Sequence, residues 1–171
     1  PKHEEQYFTI LLTGIIAQQL PPDVSQQLVQ KLEGLTGKPI TPQAVLGVPT
    51  EKLLAIGLVA QKIDYLRGFA EAIDSGKIDM TKFADMTDSQ ISKQLLQVRG
   101  LGQWTIEMFL LLALCRTDVI PSADFIFKKE LQKMLGLKEI PKRGVINKLT
   151  EAWRPWRSLA VWYMWQKAGE Q

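Results

Sequence analysis

Cysteine and histidine are nearly absent from this chain of 171 residues, which has one of each, Cys115 and His3. One thiol excludes an intrachain disulfide and a cysteine-held iron–sulfur cluster, which takes four ligands. Cys115 lies inside an apolar run and reads as a buried small hydrophobe. With no His/Cys/carboxylate cluster at metal-ligand spacing, no catalytic metal or other catalytic cofactor is expected. Long hydrophobic runs are missing too: the longest, 108–115, is too short to cross a bilayer, and no signal-peptide pattern opens the chain. The expectation is a soluble intracellular protein without membrane contact. The first residue is Pro1, not Met, which leaves room for a preceding segment. No stretch sustains period-two alternation, so the fold is predicted to be all-α. Repeats, low-complexity segments and Gly/Pro/Ser-rich linkers are also absent, which favours one domain over 1–171, compact or built as two small lobes sharing a cleft. Neither sign of charge dominates. Lys and Arg number 21 against 18 Asp and Glu, a formal +3 that permits a polyanion partner and identifies none.

What is present is helical periodicity. Residues 4–20 place Phe8, Leu11, Leu12, Ile15 and Ile16 on one face, with Gln18 and Gln19 in the last turn and Leu20 at the corner before Pro21-Pro22. A helix over 23–34 is predicted to stop at Gly34 and Gly37. Thr41-Pro42 reads as an N-cap followed by Pro in the first turn, Thr50 begins a short segment ending before Gly57, and 59–73 repeats apolar residues to Ser75-Gly76. Thr87-Asp88-Ser89-Gln90 has capping-box form. The run 103–115 is apolar on most sides and is predicted to be the central buried helix. Helices over 124–135, closed by Gly136, 142–153 and 155–167, with Pro155 in its first turn, complete the chain.

The informative stretch is 98–128. Val98-Arg99-Gly100-Leu101-Gly102-Gln103 is a Gly-x-Gly turn followed at once by a helix, so Gly100, Leu101, Gly102 and Gln103 present backbone N–H groups where the helix dipole also favours an anion. This is a phosphate seat. Past Asp118-Val119-Ile120-Pro121 comes Asp124, a carboxylate between Ala123 and Phe125-Ile126-Phe127 at a loop-to-helix junction. Taken alone, it reads as an N-cap.

The hairpin, the apolar helix and the Asp after a Pro-containing loop together resemble the helix-hairpin-helix DNA glycosylases. The resemblance extends to Gln18-Gln19-Leu20 and to Trp153-Arg154-Pro155-Trp156-Arg157-Ser158, so it covers nearly all of the chain. Gly102-Gln103-Trp104-Thr105 and the WRPWRS segment are similar to the alkylpurine branch, the 3-methyladenine DNA glycosylase II type. The resemblance implies two helical lobes with an active-site cleft between them, a hairpin at 98–103 that grips a DNA phosphate, and Asp124 as the catalytic carboxylate. It implies that Gln19 lines the damage site and that Leu20 is the wedge pushed into the duplex where the base leaves; without it, a Gln pair at a helix end is ordinary surface. Strand-cutting relatives carry a Lys at the position of Trp104, so water, not a lysine, is the implied nucleophile. The implied reaction is monofunctional hydrolysis in base excision repair, releasing 3-methyladenine and 7-methylguanine and leaving an abasic site. Trp104 and Trp165 match pocket aromatics, whereas Met108 stands where some relatives have another aromatic, which implies a more open cage. Tryptophans in a helical protein are also ordinary core residues, and Trp153, Trp156 and Trp162 are read as mainly structural. By position, the backbone carbonyls of Leu96, Val98 and Leu101 would hold a structural Na+ or K+. The implied partner is double-stranded DNA with alkylated bases, met by a monomer in the cytoplasm, nucleoid-associated in a bacterium, or in the nucleus. Arg99, Lys128, Lys129, Lys133, Arg154 and Arg157 would flank the DNA or form a solvated face. The same scaffold also fits etheno- or deaminated-purine specificity, or a non-catalytic damage-binding module.

Overall fold

A computed structural model describes residues 3–169, and among them there is no strand: ten α-helices, short 3-10 turns and one π-helical turn form the regular structure. None of the helices is long and apolar enough to cross a membrane. The chain divides into two compact units, 1–106 and 107–171, and the division falls within the helix that follows the Gly-x-Gly turn.

The first unit contains α1 (Tyr7–Ala17), α2 (Pro22–Thr36), α3 (Pro42–Gly47), α4 (Thr50–Ala55), α5 (Ala60–Asp74) and α6 (Asp88–Leu95). Its core is the stripe the periodicity predicts, with Leu11, Leu12, Ile15, Ile16, Leu32, Leu53, Leu66 and Phe69 fully buried. The Phe8 and Phe69 rings stack at 5.0 Å. Thr41 Oγ1 accepts the Ala44 N–H at 3.2 Å, and the Thr87–Gln90 capping box closes in both directions. Two boundaries differ from expectation. Helix α2 runs through Gly34 and stops only at Gly37, whose φ of +83° no helix accommodates. Helix α1 ends at Ala17, so Gln18 and Gln19 lie beyond its last turn, and Gln19 has a left-handed φ of +58°.

The helix predicted over 103–115 is not continuous. Helix α7 covers Gln103–Met108 and gives way to a π-helical turn at Phe109–Ala113, after which Cys115 turns left-handed at φ +53° and is exposed, not buried. The wider turn brings Leu112 to the surface while Leu110 and Leu111 stay buried. The second unit continues with α8 (Phe125–Leu135), α9 (Arg143–Leu149) and α10 (Arg157–Gly169), α8 packing on α10 around Phe127, Leu131 and Val161. Gly136 closes α8 in the left-handed conformation. Pro155, joined to Arg154 by a cis peptide bond, lies before α10 instead of in its first turn. Trp156 and Trp162, expected to be structural, are about half exposed.

Arg157 is neither a DNA-flanking nor a solvated charge. It is buried, and its guanidinium holds Asp118 through Nε to Oδ1 at 2.5 Å and Nη2 to the backbone oxygen at 2.7 Å, while Arg154 bonds the same carboxylate. Burial pushes the Asp118 carboxyl up, but the hydrogen bond and charge of Arg157, with those of Arg154, more than reverse this and hold it below the usual carboxylate range. Ser158 Oγ adds a bond to the Arg116 carbonyl at 2.6 Å and accepts the Val119 N–H at 3.0 Å. The loop leading to Asp124 is thereby pinned to the start of α10. Charge is uneven between the units: ten Lys and Arg against eleven Asp and Glu in 1–106, eleven against seven in 107–171.

Candidate active site

In the second unit, Asp124 precedes α8 with β-region backbone, and its Oδ1 accepts the Phe127 N–H at 2.7 Å. The N-cap reading is therefore correct for that oxygen. The same Oδ1 accepts the indole N–H of Trp165 at 3.3 Å, and the side chain is 9 % exposed. An N-cap alone needs neither burial nor a tryptophan on α10. Asp124 lies on the wall of a depression of about 670 Å³ lined also by Met108, Leu112, Phe125, Ile126, Lys129 and Trp165. Sequence-predicted residues Asp124, Met108 and Trp165 are thus brought together, and the exposed Phe125 and Ile126 make the rim apolar. A carboxylate in such surroundings, oriented by two N–H donors, interacts with a nearby positive charge far more strongly than it would in water.

The loop before Asp124 is built by a residue that the sequence reading passed over. Glu107, 5 % exposed, accepts the Ser122 hydroxyl at 2.7 Å on one carboxylate oxygen and the Ala123 N–H at 3.1 Å on the other. Ser122 and Ala123 are the two residues preceding Asp124, whose own N–H bonds the Pro121 carbonyl at 2.9 Å. The signal was available: Glu107 is the only charged residue between Trp104 and Cys115. A lone carboxylate in an apolar helix needs buried donors.

In the first unit, the turn at 98–103 is closed by the Leu101 N–H on the Val98 carbonyl at 3.1 Å, with both side chains buried. Gly100 has φ +93°, and a Cβ there would lie 2.6 Å from the Tyr65 ring, so both conformation and packing require glycine. Gly102 is different. It has no left-handed φ, and a Cβ would meet nothing within 4 Å, so the protein's own packing does not require glycine there. Helix α7 starts just beyond it, with the Ile106 N–H on the Gly102 carbonyl at 3.1 Å. Trp104, in its first turn, is 44 % exposed. At the corner after α1, Gln19 is exposed, whereas Leu20, the wedge implied by the resemblance, is half-buried with its N–H on the Ala17 carbonyl at 3.1 Å.

Comparison with known proteins gives a consistent result. The family model described as "HhH-GPD superfamily base excision DNA repair protein" matches residues 12–155. Over 159 residues, covering 91% of this chain and 70% of the relative, the sequence is 30% identical to a protein of Schizosaccharomyces pombe named DNA-3-methyladenine glycosylase 1. Among solved structures, a Bacillus halodurans DNA-3-methyladenine glycosidase superposes with a TM-score of 0.88 at 28% identity, covering 99% of this chain and 76% of that one. An S. pombe 3-methyladenine DNA glycosylase in complex with abasic DNA gives 0.81 at 28% identity, covering 95% and 81%.

Proposed function

The chain belongs to the HhH-GPD superfamily of base excision DNA repair proteins, and from that membership we propose that it is a monofunctional glycosylase acting on alkylated purines in duplex DNA. The observation that carries this reading is Asp124, a buried carboxylate oriented by Phe127 and Trp165 on the wall of an apolar depression. A purine methylated at N3 or N7 is positively charged and leaves with the electron pair of its glycosidic bond. Positive charge then builds on the sugar. Asp124 stabilises that charge and orients or deprotonates the water that adds to C1′, giving free base and an abasic site.

The base must first leave the helix, because its reactive bond is unreachable within the stack. Gln19 borders the opened site, and Leu20 fills the gap in the stack. Trp104 and Trp165 offer aromatic faces to the cationic base, worth about 1–2 kcal/mol by cation–π attraction. Gly100, Leu101, Gly102 and Gln103 hold a phosphate, and the open space over Gly102 lets that group approach the backbone. The turn between α6 and α7 suits a monovalent ion: the oxygens of Leu96, Val98 and Leu101 are neutral, and that of Val98 keeps a lone pair beyond its bond to Leu101. A bound Na+ or K+ would supply positive charge against the phosphate. With Trp104 in place of a lysine, no amine follows the hairpin to attack the sugar, so no strand cleavage accompanies base loss. Met108 in the depression favours a second specificity, for bulkier etheno-purines. The protein would act as a monomer on nucleoid or nuclear DNA.

The test incubates wild type and Asp124→Asn with methylated duplex DNA, assays free 3-methyladenine and 7-methylguanine, and scores strand breaks before and after alkali. Release by wild type, lost in the variant, with breaks only after alkali, is expected. Tight binding without release would instead identify a damage-binding module.

A further inference from the structure

The corner that carries Gln19 and Leu20 is held by groups from two other parts of the first unit. Helix α1 ends at Ala17, and its final carbonyls point past the helix end. Lys62, on α5, places its ammonium on the carbonyls of Ile16 and, at 2.8 Å, of Gln18. A cation at a helix C-terminus also meets the negative end of the dipole. The Gln18 side chain turns the other way, its Nε2 donating to the Gly100 carbonyl at 2.6 Å. Between these anchors Gln19 adopts φ +58°, a conformation disfavoured for residues with a side chain and kept only where surrounding contacts impose it.

Three residues beyond Lys62, on the same face of α5, Tyr65 packs against Gly100 so closely that a Cβ would stand 2.6 Å from its ring. One turn of α5 therefore braces both the corner and the phosphate turn, and Gln18 ties the two together. Lys62 is half-buried, and burial lowers its pKa.

On the glycosylase reading above, we propose that Lys62 and Gln18 are positioning residues that fix Gln19 and Leu20 at a set distance from the Gly100–Gly102 phosphate turn. The wedge then enters the duplex at a defined register from the gripped phosphate. Loss of either anchor frees the left-handed residue to relax, which leaves DNA grip in place and impairs base opening.

The experiment compares wild type, Lys62→Met, Lys62→Arg, Gln18→Ala and the Lys62→Met/Gln18→Ala double variant. It measures thermal stability, affinity for undamaged duplex, single-turnover release of 7-methylguanine, and fluorescence of 2-aminopurine placed beside the lesion as a report of base opening. Lys62→Met is expected to slow release and the fluorescence step about 30-fold and Gln18→Ala about 5-fold. Duplex affinity should stay within about twofold, Lys62→Arg should recover most of the rate, and the double variant should be less impaired than the product of the single effects. Wild-type rates in Lys62→Met and Gln18→Ala would overturn the proposal. So would a Gln18→Ala variant that loses affinity and stability in step with rate, because that pattern marks ordinary structural support. If wild type itself releases no base, the glycosylase reading fails instead, and the two failures are distinguishable.

Discussion

The two turns that carry the candidate phosphate seat and the candidate catalytic carboxylate are made in opposite ways. The 98–103 turn is shaped chiefly by its backbone: a left-handed glycine packed on Tyr65 and the Leu101 N–H on the Val98 carbonyl, with one side-chain tie, from Gln18 to the Gly100 carbonyl. The 121–124 turn, closed by the Asp124 N–H on the Pro121 carbonyl, is braced by side chains: Glu107 holds Ser122 and Ala123, the Trp165 indole joins the Phe127 backbone N–H in orienting Asp124, and Arg157 and Ser158 secure the chain upstream. A backbone turn presents amide dipoles with little to reorganise, which suits a ligand whose charge is fixed. A turn braced by side chains can aim one carboxylate, which suits charge that appears only during reaction.

Substitutions sharpen this contrast. Asp124→Asn should lower base release about 1,000-fold and leave thermal stability nearly unchanged, because Asn caps a helix as well as Asp; a large fall in melting temperature would mean that the carboxylate is chiefly structural. Gly100→Ala should cost about 3 kcal/mol in urea unfolding, from the strained φ together with the Tyr65 overlap. Gly102→Ala, two residues on, should stay within about 0.5 kcal/mol while weakening duplex binding. Similar stability losses at both glycines would erase the distinction drawn between them.

Asp118→Asn should cost about 2 kcal/mol at neutral pH by leaving Arg157 buried beside a neutral partner. Because the folded-state pKa of Asp118 is depressed, its contribution is complete above the unfolded value near 4 and lost as pH falls through the lowered folded value. Wild type should therefore lose stability in that acid window, and the variant should show a flatter profile there. Glu107→Gln should slow release about 10-fold with binding intact, since an amide replaces only one of the two acceptors. An unchanged rate would show that Ser122 and Ala123 are held adequately without it.

Much of this was legible in the sequence, and what escaped has a physical reason. Apolar stripes located the helices of the first unit, Thr41 and Thr87 announced caps among them and Asp124 announced the cap of α8, because those signals are local. The break at Phe109–Ala113 was hidden because uniformly apolar residues give the same pattern whether a turn is α or π, and with it went the exposure of Cys115. Arg157 read as a surface charge because its partner Asp118 lies 39 residues away. Glu107 shows that a charge in an apolar run is readable even when its partners are not.

The uneven charge of the two units bears on how the protein holds DNA. A duplex is sheathed in condensed cations, and each phosphate met by a Lys or Arg sends about one of them back to the solution, so attachment is driven by the entropy of departing ions. Eleven Lys and Arg against seven Asp and Glu give 107–171 the net positive charge that draws in a polyanion, although Arg154 and Arg157 are already engaged by Asp118 and Lys133 by Glu130. Affinity should fall steeply as salt rises, whereas the hairpin's neutral amides release none.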